Sequence, residues 1–368
     1  MRVGYDAKRI FHNGSGLGNY SRDLVRILAQ SFPKNEYFLY NPKKATLNRW
    51  KFFANTFEKQ PKGIWRWLHS VWRQGPVVQQ LKKDHVDIFH GLSGELPKGL
   101  MIPGVVTVHD LIFMRFPALY KAVDVYIHKR KVIHAVNSAT KVVAISEQTK
   151  ADLIAFIGVD AAKIEVIYQG CHPVFKQKLS LPEKGEIARK HQLPKKYVLY
   201  VGTLEDRKNA LSIAKALKET AYPMVFVGRV KAHGEKLKAF VAENNMQDRV
   251  LFIEHISVED LAGIYQNAHV FCYPSFFEGF GIPIIEALYS GIPVVTTAGG
   301  CFQEAGGASS IYVNPTDEKA LQNAVEQLYA ETEEKRQARI EKGYAHVERF
   351  DDATLAKKWN NLYKSLLS

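Results

Sequence analysis

The chain has 368 residues, a net charge of +13 and three cysteines. That length exceeds one small core, and domains of roughly 100–200 residues make two the natural expectation. Hydrophobic residues at 46% and charged residues at 24% describe a folded globular protein and exclude extended disorder. No apolar run reaches the roughly 18–20 residues of a membrane span. Cys171, Cys272 and Cys301 are too few and too far apart for a disulfide framework or a zinc site. Met1–Asp6 reads as a strand rather than a leader, and the cysteine pattern makes a reducing cytoplasm the expected setting. The positive charge favours an anionic partner: a phosphate-rich substrate, acidic lipid or nucleic acid. No nucleic-acid-binding motif accompanies it, and solubility with lysine-rich helix faces accounts for it equally well.

In chain order, short apolar runs alternate with helical periodicity, the pattern of parallel α/β architecture. Strands are expected at Val3–Asp6, Tyr37–Tyr40, Val86–His90, Val105–His109, Lys141–Ile145 and Ile164–Ile167. Helices are expected at Leu17–Ser31, Leu119–Asn137 and Glu147–Ile157, with Ser146 in the N-cap position of the last. Between them, Trp50 to Trp72 mixes four tryptophans with Lys51, Lys62, Arg66 and Arg73. The spacing of Trp65, Leu68 and Trp72 suits a core-facing helix, with Arg66, Trp67 and Arg73 outward; the same mixture also suits a membrane–water interface.

The alternation fails between Gln169 and Lys196, where prolines and lysines gather, and resumes with strands at Tyr197–Val201, Met224–Val227, Val250–Ile253, Val270–Tyr273, Pro293–Thr296 and Ile311–Val313. This predicts an N-terminal domain over 1–170, a linker over 171–195 and a C-terminal domain over 196–350. Each domain is expected to be a doubly wound sheet that binds ligands at the carboxyl ends of its strands, with a cleft between the two. Leu355, Trp359, Leu362 and Leu366 give the last segment, 351–368, an amphipathic helical spacing that suits packing back on the first domain.

Four motifs carry chemistry. Glu278-Gly279-Phe280-Gly281-Ile282-Pro283 follows a strand and opens a helix, so glycine backbone and a helix start can approach an anionic ligand. Glu286 lies eight residues on, and its carboxylate can accept two hydroxyls of a diol. Gly202 to Asn209 places Arg207 and Lys208 after the first strand of the second domain, a diphosphate clamp that can neutralise charge on a leaving group. Asn13-Gly14-Ser15-Gly16-Leu17-Gly18 joins the first strand to the first helix. It resembles a dinucleotide loop, but the second strand ends in Tyr40-Asn41 with no acid, which argues against nicotinamide. His109, closing Val106-Thr107-Val108-His109-Asp110, can exchange a proton near neutral pH or bond a sugar hydroxyl.

Together these residues resemble the retaining glycosyltransferases of family four, which have the GT-B fold of two facing Rossmann-like domains. The resemblance implies that Glu286 binds the donor ribose and that Glu278, with the backbone of Gly279, Phe280, Gly281 and Ile282, binds hydroxyls of the transferred sugar. It further implies that Arg207 and Lys208, after Gly202, hold the diphosphate, that Gly16 brings a backbone N–H to the donor phosphates, and that His109 contacts the donor sugar. The implied enzyme transfers a hexose from a nucleotide-diphosphate sugar without metal or other cofactor. GDP-mannose is the favoured donor and UDP-hexose the second, and the acceptor is a glycan or lipid-diphosphate-linked chain of a surface polysaccharide. The implied location is cytoplasmic, or peripheral at an anionic inner membrane face. The competing reading is a nucleotide-sugar-binding protein without catalysis.

Overall fold

The computed structural model describes residues 1–47 and 50–368. They form two compact units, Met1–Gly170 with Phe350–Ser368, and Cys171–Arg349.

The first unit is a seven-stranded parallel sheet. Its strands are β1 (Arg2–Asp6), β2 (Glu36–Tyr40), β3 (Thr56–Lys59), β4 (Ile88–Gly91), β5 (Gly104–Val108), β6 (Lys141–Ala144) and β7 (Ile164–Val166), in the order β3-β2-β1-β4-β5-β6-β7. The order reverses between β1 and β4, where doubly wound sheets open a crevice at their carboxyl ends. Val3, Tyr5, Ile88, Val105 and Val143 are fully buried, as expected of strands covered on both faces. The helix Glu147–Ile157 begins where Ser146 Oγ accepts the Thr149 N–H at 3.0 Å and ends at Gly158 in the left-handed region.

The helix Asp352–Ser365 belongs to this unit. Its Leu355, Ala356, Trp359, Leu362 and Tyr363 join the core of Val3, Tyr5, Ile10 and Leu24. Arg26 holds its first turn through Asp352 at 2.8 Å. Tyr363 OH lies 2.7 Å from His90 Nδ1, and Thr107 Oγ1 lies 2.8 Å from His90 Nε2.

The tryptophan-rich segment is not one helix. It comprises β3, a 3-10 turn at Gly63–Arg66 and a helix at His69–Gln74. Trp50 and Trp72 are buried, but Leu68 is exposed, and Trp67 is 87% exposed. Arg73 turns inward instead of outward: its guanidinium meets Asp6 at 2.7 Å and Glu95 at 2.8 Å. Those two carboxylates, one from the end of β1, supply the compensation that a buried guanidinium requires.

The second unit has six parallel strands: β8 (Val198–Val201), β9 (Met224–Val227), β10 (Val250–Ile253), β11 (Val270–Tyr273), β12 (Val294–Thr297) and β13 (Ile311–Val313). Their order is β10-β9-β8-β11-β12-β13, with the reversal between β8 and β11. Part of the stretch expected to be a linker is structured. Leu181–Lys190 is a helix with a Ser180–Glu183 capping box. It packs on the helix Val258–Asn267, where a Cβ on Gly263 would meet Ile187 Cδ1 at 2.2 Å. No helix among the described residues is long and apolar enough to cross a membrane.

Candidate active site

The loops after β8 and β11 flank the reversal point of the second sheet, and they carry Arg207, Lys208 and Glu278, three of the charged residues that the sequence singled out. A short 3-10 turn, Asp206–Lys208, presents Arg207 and Lys208. Asn209 ends it in the left-handed region (φ 55°), where asparagine is among the better-tolerated side chains. The Asn209 amide donates to the carbonyls of Pro274 (3.1 Å) and Pro315 (2.8 Å). It thereby ties the cation-bearing loop to the loops after β11 and β13.

Glu278 is the counter-ion of both cations. Arg207 Nη1 lies 2.9 Å from its Oε2, and Lys208 Nζ lies 3.0 Å from its Oε1. Tyr273 OH (2.8 Å) and Ser275 Oγ (3.0 Å) also donate to Oε1. Lys208 Nζ donates to Tyr273 OH at 2.6 Å. Arg207 further donates to the Phe277 carbonyl and, through Nη2, to Glu205 at 3.1 Å. Burial opposes ionisation of Glu278, yet Lys208 and Arg207 outweigh it and hold the carboxyl at about 2. Burial likewise works against the Arg207 charge, and Glu278 pulls its pKa well above the ordinary range.

Donor capacity remains after these bonds are counted. Guanidinium offers five N–H donors and ammonium three. Lys208 Nζ has two partners here, Tyr273 and Glu278, and Arg207 Nε has none among the hydrogen bonds of this cluster. A diphosphate could therefore be added without breaking the carboxylate pairs. Glu278 is more constrained: Oε1 already receives three donors, which leaves Oε2 as the acceptor for a ligand hydroxyl.

Gly281 (φ 118°) turns the chain into the helix Ile282–Tyr289, a conformation that strains any residue with a Cβ. Phe280 is buried beneath this turn, and Cys301 Sγ lies 3.2 Å from the Glu278 carbonyl. Glu286, in that helix, meets a different partner, Tyr265 OH at 3.1 Å. Burial pushes its carboxyl up to about 8, while the Tyr265 hydrogen bond acts in the opposite direction. Gly202 closes β8, with its N–H on the Val227 carbonyl at 2.9 Å.

In the first unit, Gly16 opens the helix Gly16–Ser31. A Cβ there would meet nothing within 4 Å, whereas one on Gly18 would strike the Asn13 carbonyl oxygen at 1.9 Å. Internal packing thus explains Gly18 and leaves Gly16 open to an approaching ligand. Tyr20, one turn on, stands edge-on to His109 with ring centroids 4.6 Å apart. His109 Nε2 lies 2.9 Å from the Leu92 carbonyl, which fixes it as the protonated nitrogen, and Gln169 Nε2 lies 2.9 Å from Nδ1. Burial lowers the imidazole pKa to about 4 against the Leu92 hydrogen bond, with Arg9 lowering it further. His109 is therefore neutral at pH 7, and both of its nitrogens are engaged. The expectation of proton exchange near neutral pH does not fit this environment.

The sequence reading did not single out Tyr273, Ser275 and Gln169, and it named the segment Gly202 to Asn209 without giving Glu205 or Asn209 a role. Tyr273 ends β11 and Ser275 lies in the loop just after it, where position alone could have nominated them. Gln169 is linked to His109 only through the fold.

Residues 14–174 match the model of glycosyltransferase family 4, and residues 183–346 match that of glycosyl transferases group 1. O-antigen chain mannosyltransferase B of Escherichia coli is 25% identical over 385 aligned residues, covering 100% of both chains. O-antigen chain mannosyltransferase RfbU of Salmonella typhimurium is 29% identical over 229 residues, covering 61% of this chain and 60% of its own. Sucrose-phosphate synthase of Thermosynechococcus elongatus superposes with a TM-score of 0.78 at 21% identity, covering 100% of this chain and 99% of that one. The Anabaena protein HepE, solved in complex with UDP-glucose, superposes with a TM-score of 0.75 at 17% identity, covering 99% of this chain and 100% of that one. Two parallel sheets, their reversal points and a pair of family matches covering both units agree: the chain belongs to the GT-B glycosyltransferases of family four.

Proposed function

We propose that the protein is a retaining, metal-independent hexosyltransferase that takes its sugar from a nucleotide diphosphate and adds it to a growing surface glycan. The observation that carries this reading is the Arg207–Lys208–Glu278 cluster at the reversal point of the second sheet. It is a fixed pair of cations with donors to spare, held by a carboxylate that stays ionised. In the proposed reaction the acceptor hydroxyl oxygen bonds to the anomeric carbon as the bond from that carbon to the diphosphate oxygen breaks. The nucleoside diphosphate leaves with the bonding electrons, and its oxygen takes the acceptor proton on the face it departs from. Arg207 and Lys208 stabilise the charge that builds on the leaving group, a contribution worth about 2.7–4 kcal/mol for a well-placed donor.

Within this proposal Glu286 receives the ribose diol. Glu278 Oε2 accepts a sugar hydroxyl beside the backbone of Gly279 to Ile282, and Gly202 leaves room for the phosphates. Gly16 contributes a backbone N–H, and His109 contacts the sugar as a neutral imidazole. GDP-mannose is the preferred donor, supported by the O-antigen mannosyltransferases among the relatives. UDP-hexose is the second choice, supported by the UDP-glucose complex of HepE. The site of action is the cytoplasmic side of a membrane, with peripheral attachment supported by the net charge and the exposed Trp67.

Thermal unfolding with a panel of nucleotides and sugar nucleotides tests the donor, because a ligand that binds only the folded chain raises its stability. Guanine nucleotides are expected to stabilise most, and GDP-mannose is expected to be turned over with EDTA present. Binding without turnover across the panel would favour the non-catalytic reading, and stabilisation by none would remove both.

A further inference from the structure

The first unit carries a cavity of about 400 Å³ bounded by Gln74, the Glu95–Lys98 segment and the helix Ala122–Ser138. The helix is patterned along its length as well as around it. Val123, Tyr126 and Ile127 on its first half are 67%, 60% and 43% exposed, and Leu119 in the preceding turn is 54% exposed. Arg130, Lys131 and His134 continue the same face at spacings of three and four residues. Over the roughly 17 Å from Val123 to His134, at about 1.5 Å per residue, the face changes from apolar to cationic.

The cavity lies at the cationic end. Lys98 makes no ion pair among the described residues. Arg130 stacks over Tyr126 at 5.6 Å and donates to its hydroxyl at 3.2 Å, so its charge is held against the wall. Lys131 lies 3.6 Å from Glu95, whose other partner is the buried Arg73. Lys98, Arg130 and Lys131 against Glu95 leave the lining at a net +2 with neutral histidine. His134 Nε2 is buried there without a hydrogen-bond partner. Leu119, Val123, Tyr126 and Ile127 cluster on one face, and clustered exposed apolar side chains mark an interaction surface; a cationic recess beside them calls for an anion carried on an apolar chain.

We propose that this cavity binds the phosphate or diphosphate head of a lipid, with the lipid chain lying along Ile127, Val123 and Leu119, and that this lipid carries the acceptor glycan. The assignment rests on the glycosyl-transfer reading. The volume fits a head group and its first linkage, and Lys98, Arg130 and Lys131 supply charge-assisted hydrogen bonds to phosphate oxygens. A flat bilayer could meet the apolar residues but not the recessed His134.

The probe is farnesyl diphosphate below its micellar concentration, with inorganic diphosphate and farnesol as its two separate parts. Calorimetry should show farnesyl diphosphate binding at least about tenfold tighter than either part, a gap of about 1.4 kcal/mol. R130Q/K131Q should weaken it about tenfold or more, and V123D should weaken it while leaving diphosphate binding unchanged. Arg130 and Val123 are exposed, so both variants should fold. Sugar-nucleotide binding, measured on the same samples, should not change. Equal affinity for diphosphate alone would reduce the site to a simple anion site and overturn the proposal. So would unchanged affinity in both variants. Binding to phosphatidylcholine vesicles containing phosphatidylglycerol, without affinity for farnesyl diphosphate, would make the face a general membrane-docking surface and also overturn it. If the wild type binds farnesyl diphosphate but no sugar nucleotide, the transfer reading fails and the lipid site stands.

Discussion

Replacing Glu278 by glutamine removes the charge that two buried cations share and keeps the side-chain shape. At an effective dielectric constant of about 20, each contact near 3 Å is worth about 5 kcal/mol of gross Coulomb energy, from which the desolvation of all three groups must be subtracted. The net is better read from the carboxyl itself. A shift from the ordinary 4.5 to about 2 corresponds to about 3 kcal/mol. Removing one partner of a buried pair typically costs about 3–5 kcal/mol. Glu278→Gln should therefore lower the unfolding free energy by about 3–5 kcal/mol at pH 7, measured by urea titration. Because the folded carboxyl titrates below the unfolded one, its stabilisation is complete above pH 4.5 and is lost as the pH falls toward 2. The gap between wild type and variant should shrink to about half by pH 3. Inorganic diphosphate should restore more stability to the variant than to the wild type, because it supplies the missing counter-charge. A gap under about 1 kcal/mol at pH 7, or a gap that stays constant into acid, would refute the counter-ion role.

Two other buried groups give separate expectations. Glu286 has a folded pKa raised to about 8, so the stability it contributes is present below pH 4.5 and lost as the pH rises through 8. Glu286→Gln should be more stable than wild type at pH 8–9, while its affinity for nucleotides falls; wild-type affinity should rise from pH 7 to 9 as the carboxylate forms, and the variant's should stay flat. Tyr363→Phe leaves His90 Nδ1 without its 2.7 Å partner and should cost about 1–3 kcal/mol by chemical denaturation; an unchanged midpoint would show that this bond contributes little.

Much of the fold was legible because buried parallel strands are nearly continuous apolar runs. Val270–Tyr273, for example, is fully buried and coincides with its expected span. β3 was not legible: Thr-Phe-Glu-Lys at a sheet edge has one apolar residue in four and lacks that signature. Arg73 read as a surface residue because its partners, Asp6 and Glu95, lie 67 and 22 positions away in sequence. At the candidate site, residue types and strand-end positions pointed to Arg207, Lys208 and Glu278. Their mutual pairing was hidden because the two loops meet only when β8 and β11 become neighbours. His109 shows the same limit in its chemistry, since its neutrality comes mainly from burial, and Leu92 and Gln169, both remote in sequence, engage its two nitrogens.

The central claim is that Arg207 and Lys208 stabilise a departing nucleoside diphosphate. Single-turnover hexose transfer by Arg207→Ala and Lys208→Ala, compared with sugar-nucleotide affinity in the same variants, tests it most directly. The account predicts a loss of about 10²–10³ in the transfer rate, larger than the loss in affinity. Near-normal transfer by both folded variants would contradict it.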